Sequence, residues 1–182
     1  MSTPTRYGSV AIGLHWLVAL MVLCALAVGL YMHDLPLSPH KLKVYSWHKW
    51  IGVSIFLLAV LRVLWRLAHP APPLPDGTPK WQQMAAHATH HLLYLLILII
   101  PLSGWLMSSA YGIQVVYLGL FPLPDLIVKN KELADELKEL HEGLNLTLMV
   151  LLAAHVGAAL KHHFLDRDGV MQRMVPQWMN RS

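Results

Sequence analysis

The chain has 182 residues, enough for one domain, and 55% hydrophobic against 13% charged residues with a mean hydropathy of +0.46 exclude an ordinary soluble one. A sequence pI near 9.3 does not imply nucleic acid, because the basic residues flank apolar segments and form no stripe of their own. The lone cysteine, Cys24, lies inside an apolar run and excludes an intrachain disulfide.

The first apolar segment runs from about Val10 to Tyr31. It is too long for the apolar stretch of a signal peptide, no small-residue cleavage site precedes Asp34, and it carries His15, so it reads as a retained span. The second runs from Tyr45 to Leu67 and ends in a proline-rich connection, His69–Pro79, that cannot be helical throughout. The third covers His91–Ser109. A long connection, Ala110–Glu139, then passes through Phe-Pro-Leu-Pro into a short amphipathic helix from about Lys129, which continues into the fourth span, Leu140–Leu160. Each span approaches the roughly 20 residues that cross a bilayer core of about 30 Å. The predicted fold class is therefore all-α: an integral membrane four-helix bundle occupying residues 1–182 as a single domain.

Basic residues set the expected orientation. Arg6, Arg62, Arg66, Lys80, Lys161, Arg167, Arg173 and Arg181 fall on one side, against Lys41, Lys43, Lys49, Lys129, Lys131 and Lys138 on the other. Eight against six places both termini and the middle loop in the cytoplasm. Trp47, Trp50, Tyr111 and Tyr117 suit the outer interface, and Trp65 and Trp81 the inner one.

A histidine within a span is costly unless it faces a partner, a cavity or a metal. His15 lies near the inner end of the first span, His48 near the outer start of the second, His141 at the outer start of the fourth and His155 deeper in it. The fourteen residues from His141 to His155 make nearly four turns, so both rings share one face about 21 Å apart along the axis. Depth pairs His48 with His141 and His15 with His155. Two bis-histidine sites stacked across the bilayer predict two haem b groups, their irons held six-coordinate for electron transfer rather than oxygen binding. No Cys-x-x-Cys-His motif exists for covalent attachment. Small residues lie beside the rings: Gly13, Gly52, Ala154, Gly157 and Ala158. Gly29 and Arg62 each fall fourteen residues after a histidine, at the level of the other pair. Arg62 is placed to meet a haem propionate or a quinone headgroup.

Near the inner boundary, His162, Arg62 and Arg66 mark a candidate quinone pocket. Zinc held by His87, His90 or His91 with His162 is the weaker reading, since no cysteine or acidic ligand is evident nearby. His33, His40 and His69 read as loop residues, and His163 as solvated at the boundary.

These motifs resemble the bacterial cytochrome b561 family of small four-helix dihaem proteins of the inner membrane. The resemblance covers nearly the whole chain. It rests on Gly-Leu-His-Trp at 13–16, Trp-His-Lys-Trp-Ile-Gly at 47–52, Leu-Arg-Val-Leu-Trp-Arg-Leu at 61–67, the histidine-rich entry to the third helix, Leu-His-Glu at 140–142 and Ala-His-Val-Gly-Ala-Ala-Leu-Lys-His-His at 154–163. The family's four haem ligands fall on His15, His48, His141 and His155.

The resemblance implies a superoxide oxidase, taking electrons from superoxide at the periplasmic face and reducing ubiquinone near the cytoplasmic face. Lys41, Lys43 and Lys49 would attract the anion beside the outer haem, whereas Asp135, Glu136, Glu139 and Glu142 near His141 would repel it. The alternative is a cytochrome b membrane anchor that shuttles electrons between a partner dehydrogenase or hydrogenase and quinone. Membrane lipid, quinone and superoxide are the expected partners, with no nucleic acid and no protein partner legible.

Overall fold

A computed structural model describes residues 6–75 and 77–175; Arg181, counted above for orientation, lies outside them. Four long helices run up and down: α1 (Ser9–His33), α2 (Pro39–Ala68), α3 (Lys80–Ala110) and α4 (Lys131–Lys161). All four are long and apolar enough to cross a membrane. They leave a termini end, which also holds the α2–α3 connection, and an opposite end with the α1–α2 and α3–α4 connections.

Three helices outrun the apolar segments that announce them. The α3 helix begins at Lys80 rather than His91, so His87, His90 and His91 are helical. The α4 helix takes in the amphipathic stretch as one rod from Lys131. Hydropathy registers only the part of a helix in lipid, whereas helical hydrogen bonding continues until a cap ends it. Here the caps are Ser38, whose Oγ accepts from Lys41 N at 3.2 Å with Pro39 behind it, and Asn130, whose Oδ1 accepts from Leu133 N at 3.1 Å.

Among the described residues, α1 packs closely on α2, α2 on α3 and α3 on α4. The α4 helix therefore leans directly on α3 and faces α1 and α2 at longer range. An apolar layer containing Val22, Ile55, Ile97 and Leu148 fills the middle of the bundle. Most large apolar side chains point outward instead, Leu20, Leu57, Leu64 and Leu146 among them, as expected where lipid is the solvent. Between α3 and α4 lies a small antiparallel hairpin, β1 (Val116–Tyr117) with β2 (Phe121–Pro122), Tyr117 opposite Phe121. After α4 the chain makes a wider π turn, His162–Asp166, and a 3-10 turn, Met171–Arg173. The last described residues fold back: Trp16 Nε1 donates to Met174 O at 2.8 Å, Arg6 to Val175 O and Arg173 to Pro73 O.

Candidate functional site

Three helices carry matching columns at seven-residue steps, close to two turns each. The α1 helix presents His15, Val22 and Gly29; α2 presents His48, Ile55 and Arg62; α4 presents His141, Leu148 and His155. Val22, Ile55 and Leu148 are buried together in the middle layer. The histidines above and below them meet in two pairs. Ring centroids of His48 and His141 are 6.4 Å apart, with planes at 84°, and those of His15 and His155 are 6.3 Å apart, at 66°.

These distances fit two imidazoles gripping one metal ion from opposite sides. Metal–nitrogen bonds of about 2 Å on each side, plus the two ring radii, separate the centroids by about 6 Å. Such a group needs room between α4 and the α1–α2 pair, which is where the helices stand apart. Glycines line the approach. A Cβ on Gly29 would lie 3.3 Å from His48 Cε1, and one on Gly104 would lie 3.2 Å from His141 Cε1. A Cβ on Gly13, Gly52 or Gly157 would meet nothing within 4 Å, so close helix packing does not require those glycines.

The ring nitrogens of His141, His48 and His15 have different environments. Ser103, buried on α3, donates its hydroxyl proton to Ile100 O at 2.8 Å, which leaves its oxygen to accept from His141 Nδ1 at 2.8 Å. That fixes the His141 proton on Nδ1 and leaves the Nε2 lone pair free, the arrangement a metal-binding histidine needs. His48 Nδ1 is buried against α1, where a Cβ on Gly29 would lie 3.7 Å from it. At the other pair, Arg62 Nη2 donates to His15 Nδ1 at 2.8 Å, and its guanidinium lies 5.1 Å from the centre of the Tyr94 ring. A neutral His15 that accepts at Nδ1 carries its proton on Nε2. Metal binding at Nε2 thus requires Arg62 to release the ring and find another acceptor, for which a carboxylate is the natural choice.

Sequence reasoning missed Ser103 and Gly104, and considered His90 for zinc rather than as a neighbour of His155. The His90 ring lies edge-on to His155 at 5.3 Å, while its Nδ1 donates to Ala86 O at 2.6 Å. The weaker zinc reading gains no support: His91 Nδ1 bonds His87 O, and His162 Nδ1 bonds Asp168. The expectation that no acid stands near His162 is overturned, because the π turn and a left-handed Arg167 (φ 51°) bring the chain back on itself. His162 Nδ1 is then 2.6 Å from Asp168 Oδ2 and 3.3 Å from Asp166 Oδ2, with Lys161 also on Asp166. Arg66 lies over the Tyr7 ring at 5.7 Å, and its Nη1 is buried without a partner.

The three lysines expected beside the outer pair are not equivalent. Lys41 caps the end of α1, its Nζ donating to Leu35 O at 2.5 Å and His33 O at 3.4 Å. Lys43 covers the Trp47 ring, while Lys49, half-buried, adjoins His48 in the chain. The acids are partly engaged as well. Tyr111 donates to Asp135 at 2.7 Å, and Glu142 lies 3.7 Å from Lys138. Chiefly through that hydrogen bond, Asp135 pushes the Tyr111 hydroxyl up to about 12.

Four apolar helices with histidine pairs at two levels define a membrane cytochrome. Comparison with known proteins agrees: the family model of prokaryotic cytochrome b561 matches residues 6–177. Cytochrome b561 homolog 2 of Escherichia coli K12 is 39% identical over 96% of this chain and 93% of its own length. Cytochrome b561 homolog 1 of the same strain is 30% identical over 94% and 98%, and the probable superoxide oxidase CybB of Yersinia pestis is 32% identical over 94% and 97%. The chain belongs to the prokaryotic cytochrome b561 family. It is a bacterial membrane protein of electron transfer, and the family implies haem b.

Proposed function

We propose that the chain, as one domain, holds two haem b groups and carries electrons from superoxide at its periplasmic face to ubiquinone near its cytoplasmic face. The observation that carries this reading is the pair of matched imidazole separations, 6.4 and 6.3 Å, one at each end of the bundle. His48 and His141 would hold the haem at the hairpin end, and His15 and His155 the other. Bound there, the haems supply a one-electron relay across the apolar layer of Val22, Ile55 and Leu148. The basic-residue count favours cytoplasmic termini, which puts the His48–His141 pair on the periplasmic side.

The chain's own groups divide the remaining work. Ser103 orients His141. Arg62 would leave His15 to hold a haem propionate. Arg66 and His162 would face the quinone headgroup, His162 as proton donor with its Nδ1 held by Asp168. Two superoxide ions each give up one electron and depart as dioxygen; one quinone takes the two electrons and two protons and departs as quinol. The relative described as a probable superoxide oxidase supports this donor, and Lys49 beside His48 offers a small anion a positive approach.

Stopped-flow mixing of the purified protein with superoxide and a soluble quinone tests it. Haem reduction faster than superoxide dismutation, followed by quinol formation, is the expected outcome. Absence of haem reduction would refute the oxidase and favour the anchor subunit that serves a partner dehydrogenase or hydrogenase.

A further inference from the structure

The α3–α4 connection has the wrong chemistry for a loop in water. Residues 111–128 contain Asp125 as their sole charged side chain. Leu118, Leu120 and Phe121 at the hairpin tip are exposed, Leu120 at 73% and Phe121 at 59%, with Ile113 beyond them. Leu118 adopts φ +54°, a left-handed turn position that normally takes Gly or Asn, so an apolar side chain is kept where the backbone disfavours one.

Several main-chain groups of the same segment are paired within the protein. Leu123 N donates to Val115 O at 2.8 Å, Gly119 N to Val116 O at 3.3 Å and Leu120 N to Tyr117 O at 3.1 Å. Ser108 Oγ donates to Ile113 O at 2.7 Å. Two indoles complete the pattern, Trp50 Nε1 donating to Val116 O at 2.7 Å and Trp105 Nε1 to Pro124 O at 3.1 Å. Pairing of these main-chain groups beneath exposed apolar side chains suits the edge of a bilayer, where headgroup water meets the remaining ones.

Depth agrees. The chain leaves α3 at Ala110 but turns back to the level of Trp105 on α3 and of Trp50 and Ser54 on α2, where Tyr117 OH meets Ser54 Oγ at 2.9 Å. Indoles facing the bundle's flank near a helix end mark the membrane interface. By helical spacing, exposed Leu57 and Leu61 share the face of α2 that Trp50 and Ser54 present to the hairpin.

We propose that the hairpin is an interfacial wedge: Leu118, Leu120 and Phe121 insert between the lipids of the leaflet at that end, binding lipid rather than a protein partner. It rests on the face of α2 that Trp50 and Ser54 present, well round the helix from His48. The inference rests on the four membrane spans alone and stands whether or not the haem and superoxide readings hold.

The test is spin-label accessibility in the full-length protein reconstituted into phosphatidylcholine–phosphatidylglycerol vesicles. In a Cys24→Ser background, nitroxides are attached at Leu120→Cys and, separately, at Phe121→Cys. Leu57→Cys gives the lipid reference and Glu136→Cys the aqueous one. The wedge predicts that both hairpin labels collide with dissolved oxygen more than with a water-soluble nickel chelate, with a ratio displaced from Glu136 toward Leu57. A ratio equal to that at Glu136 places the hairpin in water and overturns the proposal. Labels shielded from both reagents at both sites mean that a protein or a second copy covers the hairpin, which overturns it equally.

Discussion

Removing the Ser103 hydroxyl would leave His141 Nδ1–H without an acceptor in a buried site, at a cost of about 1–3 kcal/mol. Loss of such an outer partner typically weakens metal binding about 10–100-fold. Ser103→Ala is therefore expected to release one haem at lower chaotrope or higher temperature while the other is retained, as followed by the Soret band. The ligand variants bracket this result. His48→Ala and His141→Ala should lose the same haem, and His15→Ala and His155→Ala the other, leaving about one per chain by pyridine haemochrome. Both haems surviving in His155→Ala would break the pairing. The four histidines were legible because spacing and depth are written in the chain, but their orienting groups were not. Ser103 and Gly104 are single small residues in an apolar helix, where such residues ordinarily serve packing. Only the approach of α3 to α4 gives them a histidine to touch.

At the scale of elements, the glycines facing the rings make a sharper test than ring removal. A valine at Gly104 would drive its side chain into His141, whose ring has Ser103 on one side and His48 opposite. Gly104→Val should cost the haem at that level, whereas Gly157→Val should be tolerated better. Equal losses in the two would mean that both glycines serve general helix packing. The tie between the end of α3 and the start of α4 can be followed separately. Tyr111 has a raised pKa, so its bond to Asp135 is intact below its ordinary value near 10 and is lost as pH rises through about 12. Ultraviolet titration should show that Tyr111→Phe removes a late-ionising tyrosine. The spans themselves were readable from hydropathy because lipid selects for it. The overhangs of α3 and α4, and the return of Asp166 and Asp168 to His162, were not. The first depend on caps and the second on a π turn, neither of which leaves an apolar period.

Across the whole molecule, charge is distributed unequally between the two histidine levels. At the termini end, Arg62 and Arg66 lie among the helices, and the described carboxylates there are already met by Lys161 and His162. Uncompensated cations favour the reduced form of a nearby redox centre and attract an electron-rich headgroup. Arg62→Ala should lower the potential of the haem at that level and slow quinone reduction, while His162→Ala should slow quinone reduction alone. Unchanged quinone kinetics in both would remove this pocket. At the hairpin end the balance is finer. Asp135, Glu136, Glu139 and Glu142 stand on α4 near His141, and of the facing lysines Lys41 is drawn to the end of α1 and Lys43 lies over Trp47. Lys49 is left as the cation adjoining His48, so steering of a small anion should depend on it most. Screening shortens the reach of exposed charges to about 8 Å at physiological ionic strength. If Lys49 draws superoxide in, the second-order rate of haem reduction should fall as salt is added. Lys49→Gln should lower the rate at low salt and flatten that dependence, whereas Lys43→Gln should do so less. A rate that rises with salt in the wild-type protein would mean that the α4 carboxylates dominate the approach, and a neutral electron donor would then suit this face better than superoxide.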